Sequence, residues 1–500
     1  MATDERDIAE LQALFQDGAL TAVALCQAFL ERIEQIDRSG PCLLSVIETN
    51  PDALEIAAAL DRERKQVGPR GPLHGVPILL KDAIDTGDRM TTTGGSLAME
   101  GHRASEDAFV AAQLRRAGAV LLGKTNMSEW GYMRSTRGCS GWSSRGGQVR
   151  NPYVLDRSPS GSSSGSGVAV AANLCTAAIG AEVDGSVVRP ASINGIVGLK
   201  PTVGLIGRSG IMPVAAPQDT AGPMARSVGD LARVLNALTG LDPQDDATQA
   251  AQAHTAEDYT RFLDPDALKG ARLGLARDLM GDHEGVDAII EEAVRVLRDL
   301  GAEVIDPAEG AAVPLFGEAE MTLFLYEMKA GLNRYLAEHP NSPMRSLTEL
   351  IAFNRANADR VMPFFKQELF EMVEASGGME EPAYEAARAE CIRLSRSEGI
   401  DRVLKEHALD AIIAPTDSMP AWSIDPVNGD RIVGGCSSPA AMAGYPHLTV
   451  PAGYLHDHLP VALSFFSTAW QEGKLLSYGY AFEQATKVRR QPQYLATLPL

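Results

Sequence analysis

Two stretches decide the fold: Val76-Pro77-Ile78-Leu79-Leu80-Lys81-Asp82, and Gly118-Ala119-Val120-Leu121-Leu122-Gly123-Lys124-Thr125-Asn126. Each is a short apolar run that closes on charged or small residues, the pattern of a strand buried on both faces. Between them, Asp107–Ala117 places apolar side chains at helical spacing. Strands alternating with helices predict an α/β fold, with a mixed central sheet covered by helices on both faces. In such sheets the functional residues gather in loops at strand ends. Lys81 and Lys124 both stand at such ends.

Upstream, residues 1–65 alternate helical patterns: Leu11, Leu14 and Phe15, then Leu25, Cys26, Phe29, Leu30 and Ile33 recur at three- and four-residue spacing. Downstream, residues 310–395 are helical and rich in large apolar side chains, among them Phe324, Met328, Tyr335, Phe353, Phe364, Phe365, Phe370 and Met372. This segment predicts a helical insertion, read either as a layer over the core or as a cap whose methionines and aromatics wall a cleft. Strand patterns then resume at Asp410–Thr416, Leu448–Pro451 and Val461–Phe466. The expectation is one domain over residues 1–500, with a helical region at 1–65, a core at 71–230 and the insertion at 310–395.

The chain has 500 residues, 45% hydrophobic and 22% charged, enough for a sizeable core. Its net charge of −20 argues against binding nucleic acid or anionic membrane by bulk charge. The six cysteines are scattered with no CxxC pair, so neither a disulfide framework nor zinc-site spacing is present, and no metal or cofactor is expected. The start, Met1-Ala2-Thr3-Asp4-Glu5-Arg6-Asp7, lacks the basic and apolar regions of a signal peptide. No apolar run reaches the ~18 residues of a membrane span. A cytoplasmic protein, monomeric or homodimeric, is expected.

Residues 158–167 read Ser-Pro-Ser-Gly-Ser-Ser-Ser-Gly-Ser-Gly. Alone, such a tract reads as a flexible linker. It is followed, however, by Val168–Ala178, apolar nearly all round and built of small side chains, which predicts a buried helix. A Gly/Ser turn opening on a helix presents backbone N–H groups, as a phosphate cradle or a catalytic loop. No Lys follows as the P-loop requires, which disfavours nucleotide binding. Next, Gly180-Ala181-Glu182-Val183-Asp184-Gly185-Ser186 reads as a strand running into a turn that presents Ser186. A serine needs a neighbour to take its proton. No histidine offers itself, whereas Lys81, closing an apolar strand, would be desolvated and so neutral near pH 7. A salt-bridged strand-end lysine is the plainer alternative.

These motifs together resemble the amidase signature family. The resemblance extends through Arg150-Asn151-Pro152-Tyr153, Gly195–Thr202, Gln218–Arg226, Ala414-Pro415-Thr416 and Ala443-Gly444-Tyr445-Pro446. Within the family, Gly141–Gln148 and Ser162-Ser163-Ser164 are most similar to bacterial peptide amidases.

The resemblance implies a Ser–Ser–Lys triad: Ser186 as nucleophile, Ser162 (24 residues earlier, after a cis peptide bond) as the bridging proton relay, and Lys81 as base. It implies an oxyanion hole from the backbone N–H groups of Val183, Asp184, Gly185 and Ser186, with Ser163 orienting Lys81. Two positions depart from the family pattern: Ala181 stands where many relatives have a Thr that helps hold the lysine, and Arg189 where a close relative is small and neutral, facing either substrate or an acid. The function implied is hydrolysis of C–N amide bonds through an acyl-enzyme, on peptide C-terminal amides or related carboxamides. Aryl acylamidase or carbamate-cleaving activity would use the same triad. A glutaminase subunit of a tRNA-dependent amidotransferase is a further alternative. The partner expected is a small-molecule or peptide amide.

Overall fold

The computed structural model describes residues 5–499. Its centre is an eleven-stranded mixed sheet. In chain order the strands are β1 (Val46–Thr49), β2 (Pro77–Lys81), β3 (Val120–Thr125), a separate hairpin of β4 (Trp142–Ser143) and β5 (Gly147–Gln148), β6 (Ala177–Glu182), β7 (Val197–Lys200), β8 (Thr220–Ala225), β9 (Arg272–Leu275), β10 (Glu303–Ile305), β11 (Ala411–Pro415), β12 (His447–Leu455) and β13 (Leu459–Phe466). Across the sheet the order is β1-β3-β2-β6-β8-β7-β12-β13-β11-β9-β10. β2 pairs in parallel with both β3 and β6, whereas β6 and β8 run antiparallel.

Every residue of β2, β3, β8, β11 and β13 is buried. Alternate side chains of a strand point to opposite faces, so burial at every position means both faces are covered by helices. The strand–helix–strand reading of 76–126 holds: the intervening helix is Phe109–Arg116. At 168–178 the chain departs from expectation. The helix is Ser164–Ala171, it begins inside the Ser/Gly tract, and Ala177–Ala178 already belong to β6. Residues small enough for a buried helix are equally suited to a central strand, and apolar content alone does not place the break. The first 65 residues also contain β1, an edge strand antiparallel to β3, which the helical pattern around it hides.

The insertion is built from the helices Glu318–Glu338, Leu347–Ala356, Glu368–Ala375 and Pro382–Ile392. Phe324, Leu332 and Phe370 bury themselves against Trp130 and Met212 of the core, forming a second apolar cluster beside the sheet. All six cysteines are unpaired, and five are buried. No helix among the described residues is long and apolar enough to cross a membrane.

Candidate active site

Lys81 ends β2, and its side chain is 2% exposed. The strand before it is wholly apolar, so the ammonium is delivered into a largely desolvated position. Its nitrogen donates to Ser162 Oγ at 2.7 Å and to the main-chain carbonyl of Ala181 at 2.8 Å. Both partners are neutral. Burial therefore dominates and lowers the Lys81 pKa from 10.5 to about 7, against a weaker upward pull from the charges of Glu182 and Asp219.

Ser162 Oγ in turn donates to Ser186 Oγ at 2.9 Å. The Gly161–Ser162 peptide is cis. The two serine loops are latched by the backbone, since Ser163 N–H donates to Ser186 O at 3.1 Å. Lys81, Ser162 and Ser186, which lie far apart in sequence, thus form one hydrogen-bonded chain. Ser163 stands one bond away from it. Its hydroxyl donates to Ala181 O at 3.1 Å and accepts from Ala181 N–H at 3.2 Å, so it meets Lys81 through the carbonyl they share. Gly180 makes this approach possible, because a Cβ there would sit 2.7 Å from Ser163 Oγ.

The turn that presents Ser186 is organised by Glu182. One carboxylate oxygen accepts from Gly185 N–H at 2.9 Å, and the other from Val187 N–H at 2.6 Å and Val188 N–H at 3.1 Å. Gly185 holds φ at +76°, and a Cβ there would lie 2.6 Å from Arg189 Cδ. Of the four backbone donors expected to face an oxyanion, Gly185 is therefore directed to Glu182. The N–H groups of Val183, Asp184 and Ser186 have no backbone acceptor among the described residues. The Asp184 side chain accepts from Ser438 Oγ. It also lies against Glu320 of the insertion, whose carboxyl is pushed well above the usual carboxylate range by burial and by the Asp184 charge. Gln218 Nε2 donates to Glu320 Oε1 at 2.8 Å.

Lys81, Ser162 and Ser186 line a cleft of about 460 Å³, with Trp130, Met212 and Met328 among its apolar walls. A chain of this kind at the floor of such a cleft can activate a hydroxyl for attack on a carbonyl. The amidase family model matches residues 24–476. The chain belongs to the amidase family. It is an enzyme that hydrolyses amides.

The native peptide amidase of Stenotrophomonas maltophilia superposes on this amidase with a TM-score of 0.93 at 52% identity, covering 98% of each chain. A crystal structure of a peptide amidase with the competitive inhibitor chymostatin gives a TM-score of 0.95 at 52% identity, over 99% of this chain and 100% of that one. Among curated sequences, a probable amidase of Arabidopsis thaliana is 40% identical over 98% of this chain and 92% of its own length. A glutamyl-tRNA(Gln) amidotransferase subunit of Symbiobacterium thermophilum is 35% identical over 96% of both.

Two open questions about the amidase site have structural answers. Arg189 does not line the cleft; its Nε donates to Asp417 Oδ1 at 2.7 Å, and both side chains are buried. Of the apolar side chains singled out in the insertion, Met328 and Tyr335 reach the cleft, Phe324 and Phe370 pack inside, and Phe364 and Met372 are exposed. Glu182, Glu320 and Ser438 were not anticipated from sequence. Glu182 carried one usable signal: an acid ending a buried strand needs donors, and the following turn supplies them.

Proposed function

We propose that this amidase cleaves the C-terminal carboxamide of peptides through an acyl-enzyme on Ser186, with Ser162 and Lys81 moving the proton. The observation that carries the reading is the chain from Lys81 Nζ through Ser162 Oγ to Ser186 Oγ, at 2.7 and 2.9 Å, ending on a lysine whose pKa is about 7.

With Lys81 neutral, the hydrogen bonds run from Ser186 O–H to Ser162 and from Ser162 O–H to the lysine lone pair. Ser186 Oγ attacks the amide carbon as its proton passes to Ser162, whose own proton passes to Lys81. The oxyanion lies against the N–H groups of Val183, Asp184 and Ser186, while Glu182 fixes the turn through Gly185. One such donor is typically worth about 10²–10³ in rate. Collapse breaks the C–N bond. Ser162 protonates the leaving nitrogen, Lys81 restores the Ser162 proton, and ammonia departs. Water then attacks the ester by the same relay, freeing the acid and Ser186. Asp184, which accepts from Ser438 and lies beside Glu320, stands where the donor turn meets the insertion.

Peptide amides are supported as the substrate by 52% identity to peptide amidases over nearly the whole chain. The test is turnover of a peptide C-terminal amide, an aryl anilide, an aryl carbamate and free glutamine by the purified protein. The expected result is ammonia release from the peptide amide at the highest kcat/KM. Preferential anilide or carbamate cleavage would overturn the substrate while leaving the relay. Glutamine hydrolysis only with added partner chains would point to an amidotransferase component.

A further inference from the structure

We propose that Asp85, His102 and His339 bind one divalent transition-metal ion, and that this ion fastens the helical insertion to the core beside the cleft. One ligand atom from each residue lies within 4.8 Å of the other two.

His102 is fully buried, yet neither of its ring nitrogens has a hydrogen-bond partner. A buried imidazole without partners forfeits its hydration with nothing in return, so its polar atoms call for a ligand. His339, unlike His102, has a partner for each ring nitrogen. Its Nδ1 lies 2.7 Å from the Tyr335 carbonyl and its Nε2 lies 3.0 Å from Asp85 Oδ2, both of them acceptors. As an imidazolium it donates to both and is an ion pair with Asp85; a neutral imidazole has one N–H. If it goes to the carbonyl, the Nε2 lone pair faces a carboxylate lone pair. A metal ion between Nε2 and Oδ2 resolves that opposition and supplies the missing partner of His102. Lys124 does not fill the role, because its ammonium donates to Ile84 O at 2.6 Å and Thr92 Oγ1 at 2.8 Å.

The surroundings match those of metal ligands. A ligating histidine usually gives its other N–H to a carbonyl, and a ligating carboxylate is itself hydrogen-bonded. Here His339 has the Tyr335 carbonyl, and Asp85 Oδ1 accepts from Tyr335 O–H at 2.8 Å. Two imidazoles and one carboxylate suit Zn²⁺, Co²⁺ or Ni²⁺ and do not suit Mg²⁺ or Ca²⁺. A water completes four-coordination. Ligands at zinc distances stand roughly 3.4 Å apart in a tetrahedron, so on binding the separations of up to 4.8 Å close while the 3.0 Å His339–Asp85 pair opens slightly. The side chain of His339 is 17% exposed and provides an entry path.

The placement gives the ion a purpose. Asp85 follows Lys81 by four residues, and His339 immediately follows the Glu318–Glu338 helix, whose Met328 and Tyr335 line the cleft. An ion here ties that wall to the core without touching the serine relay. No motif spacing joins positions 85, 102 and 339, so the sequence could not disclose the site.

The test uses the full-length protein stripped with a chelator, then titrated with Co²⁺ and followed by its visible d–d absorption, with Zn²⁺ followed by melting temperature. The expected result is one equivalent bound with a rise in melting temperature, and affinity roughly 100-fold or more weaker in His339→Gln and in His102→Ala. His339→Gln carries the test should the buried His102→Ala misfold, and circular dichroism of each metal-free variant checks its fold. No stoichiometric binding at micromolar metal would overturn the proposal, leaving Asp85 and His339 as an ordinary ion pair. So would a titration unchanged in folded His339→Gln, which would put the ion elsewhere.

Discussion

Lys81 and Ser163 share an acceptor: the ammonium of the one and the hydroxyl of the other both donate to the carbonyl of Ala181, at 2.8 and 3.1 Å. Ala181 has no side-chain hydroxyl to offer, so this chain holds the lysine there through main chain. Ser163→Ala then removes the group that fixes the carbonyl but not the carbonyl itself. The expected effect is a fall in kcat of about 10-fold, one hydrogen bond's worth, with KM nearly unchanged. Gly180→Ala, whose new Cβ would press on Ser163 Oγ, is expected to move kcat in the same direction. Steady-state kinetics of both variants checks this.

The lysine sets the pH dependence. In the proposed mechanism only neutral Lys81 accepts the relayed proton, so kcat/KM is expected to rise with pH through about 7 and then level. Stability follows the same group with a definite sign. Between the folded pKa of about 7 and the unfolded value near 10.5, the unfolded chain holds a proton that the folded chain has given up. Stability therefore increases with pH across that window, and the cost of burying the lysine is fully present below it. Lys81→Met is expected to be inactive yet to melt higher than wild type at pH 6–7, with the difference shrinking towards pH 10.5. Paired melting curves across pH measure it.

Glu182 is buried, and its carboxylate takes three backbone N–H groups of the Ser186 turn. Glu182→Gln keeps the shape but turns one acceptor into a donor facing N–H groups. Leaving a buried donor unsatisfied costs about 1–3 kcal/mol. A stability loss of that size is expected by denaturant titration, together with a fall in kcat as the oxyanion donors loosen.

The proposed mechanism assigns relay to Ser162 and attack to Ser186. Ser162→Ala removes the proton path but leaves a nucleophile, so a loss of about 10²–10⁴ in kcat is expected, within the range of general acid–base catalysis. Ser186→Ala is expected to fall further, with peptide amide binding retained in equilibrium measurements.

Much of this was readable along the chain wherever one segment sufficed. Val76–Asp82 and Gly118–Asn126 announce β2 and β3 because a buried strand is a short apolar run with a sharp end. The Lys81 environment followed from the same run. Legibility failed where small residues serve helix and strand alike, so the boundary between the Ser164–Ala171 helix and β6 was misplaced. It failed again where a contact joins distant segments with no shared pattern. Asp184 with Glu320 and Ser438, or Arg189 with Asp417, are pairings that only the folded sheet and its insertion create.

The central claim is a covalent ester on Ser186. It is tested most directly by intact-mass spectrometry of the protein quenched during turnover of a peptide amide, with peptide mapping of the adduct. The account predicts a mass increase equal to the acyl group, located on Ser186 and absent from Ser186→Ala. An adduct on another residue, or undiminished turnover by Ser186→Ala, would contradict it.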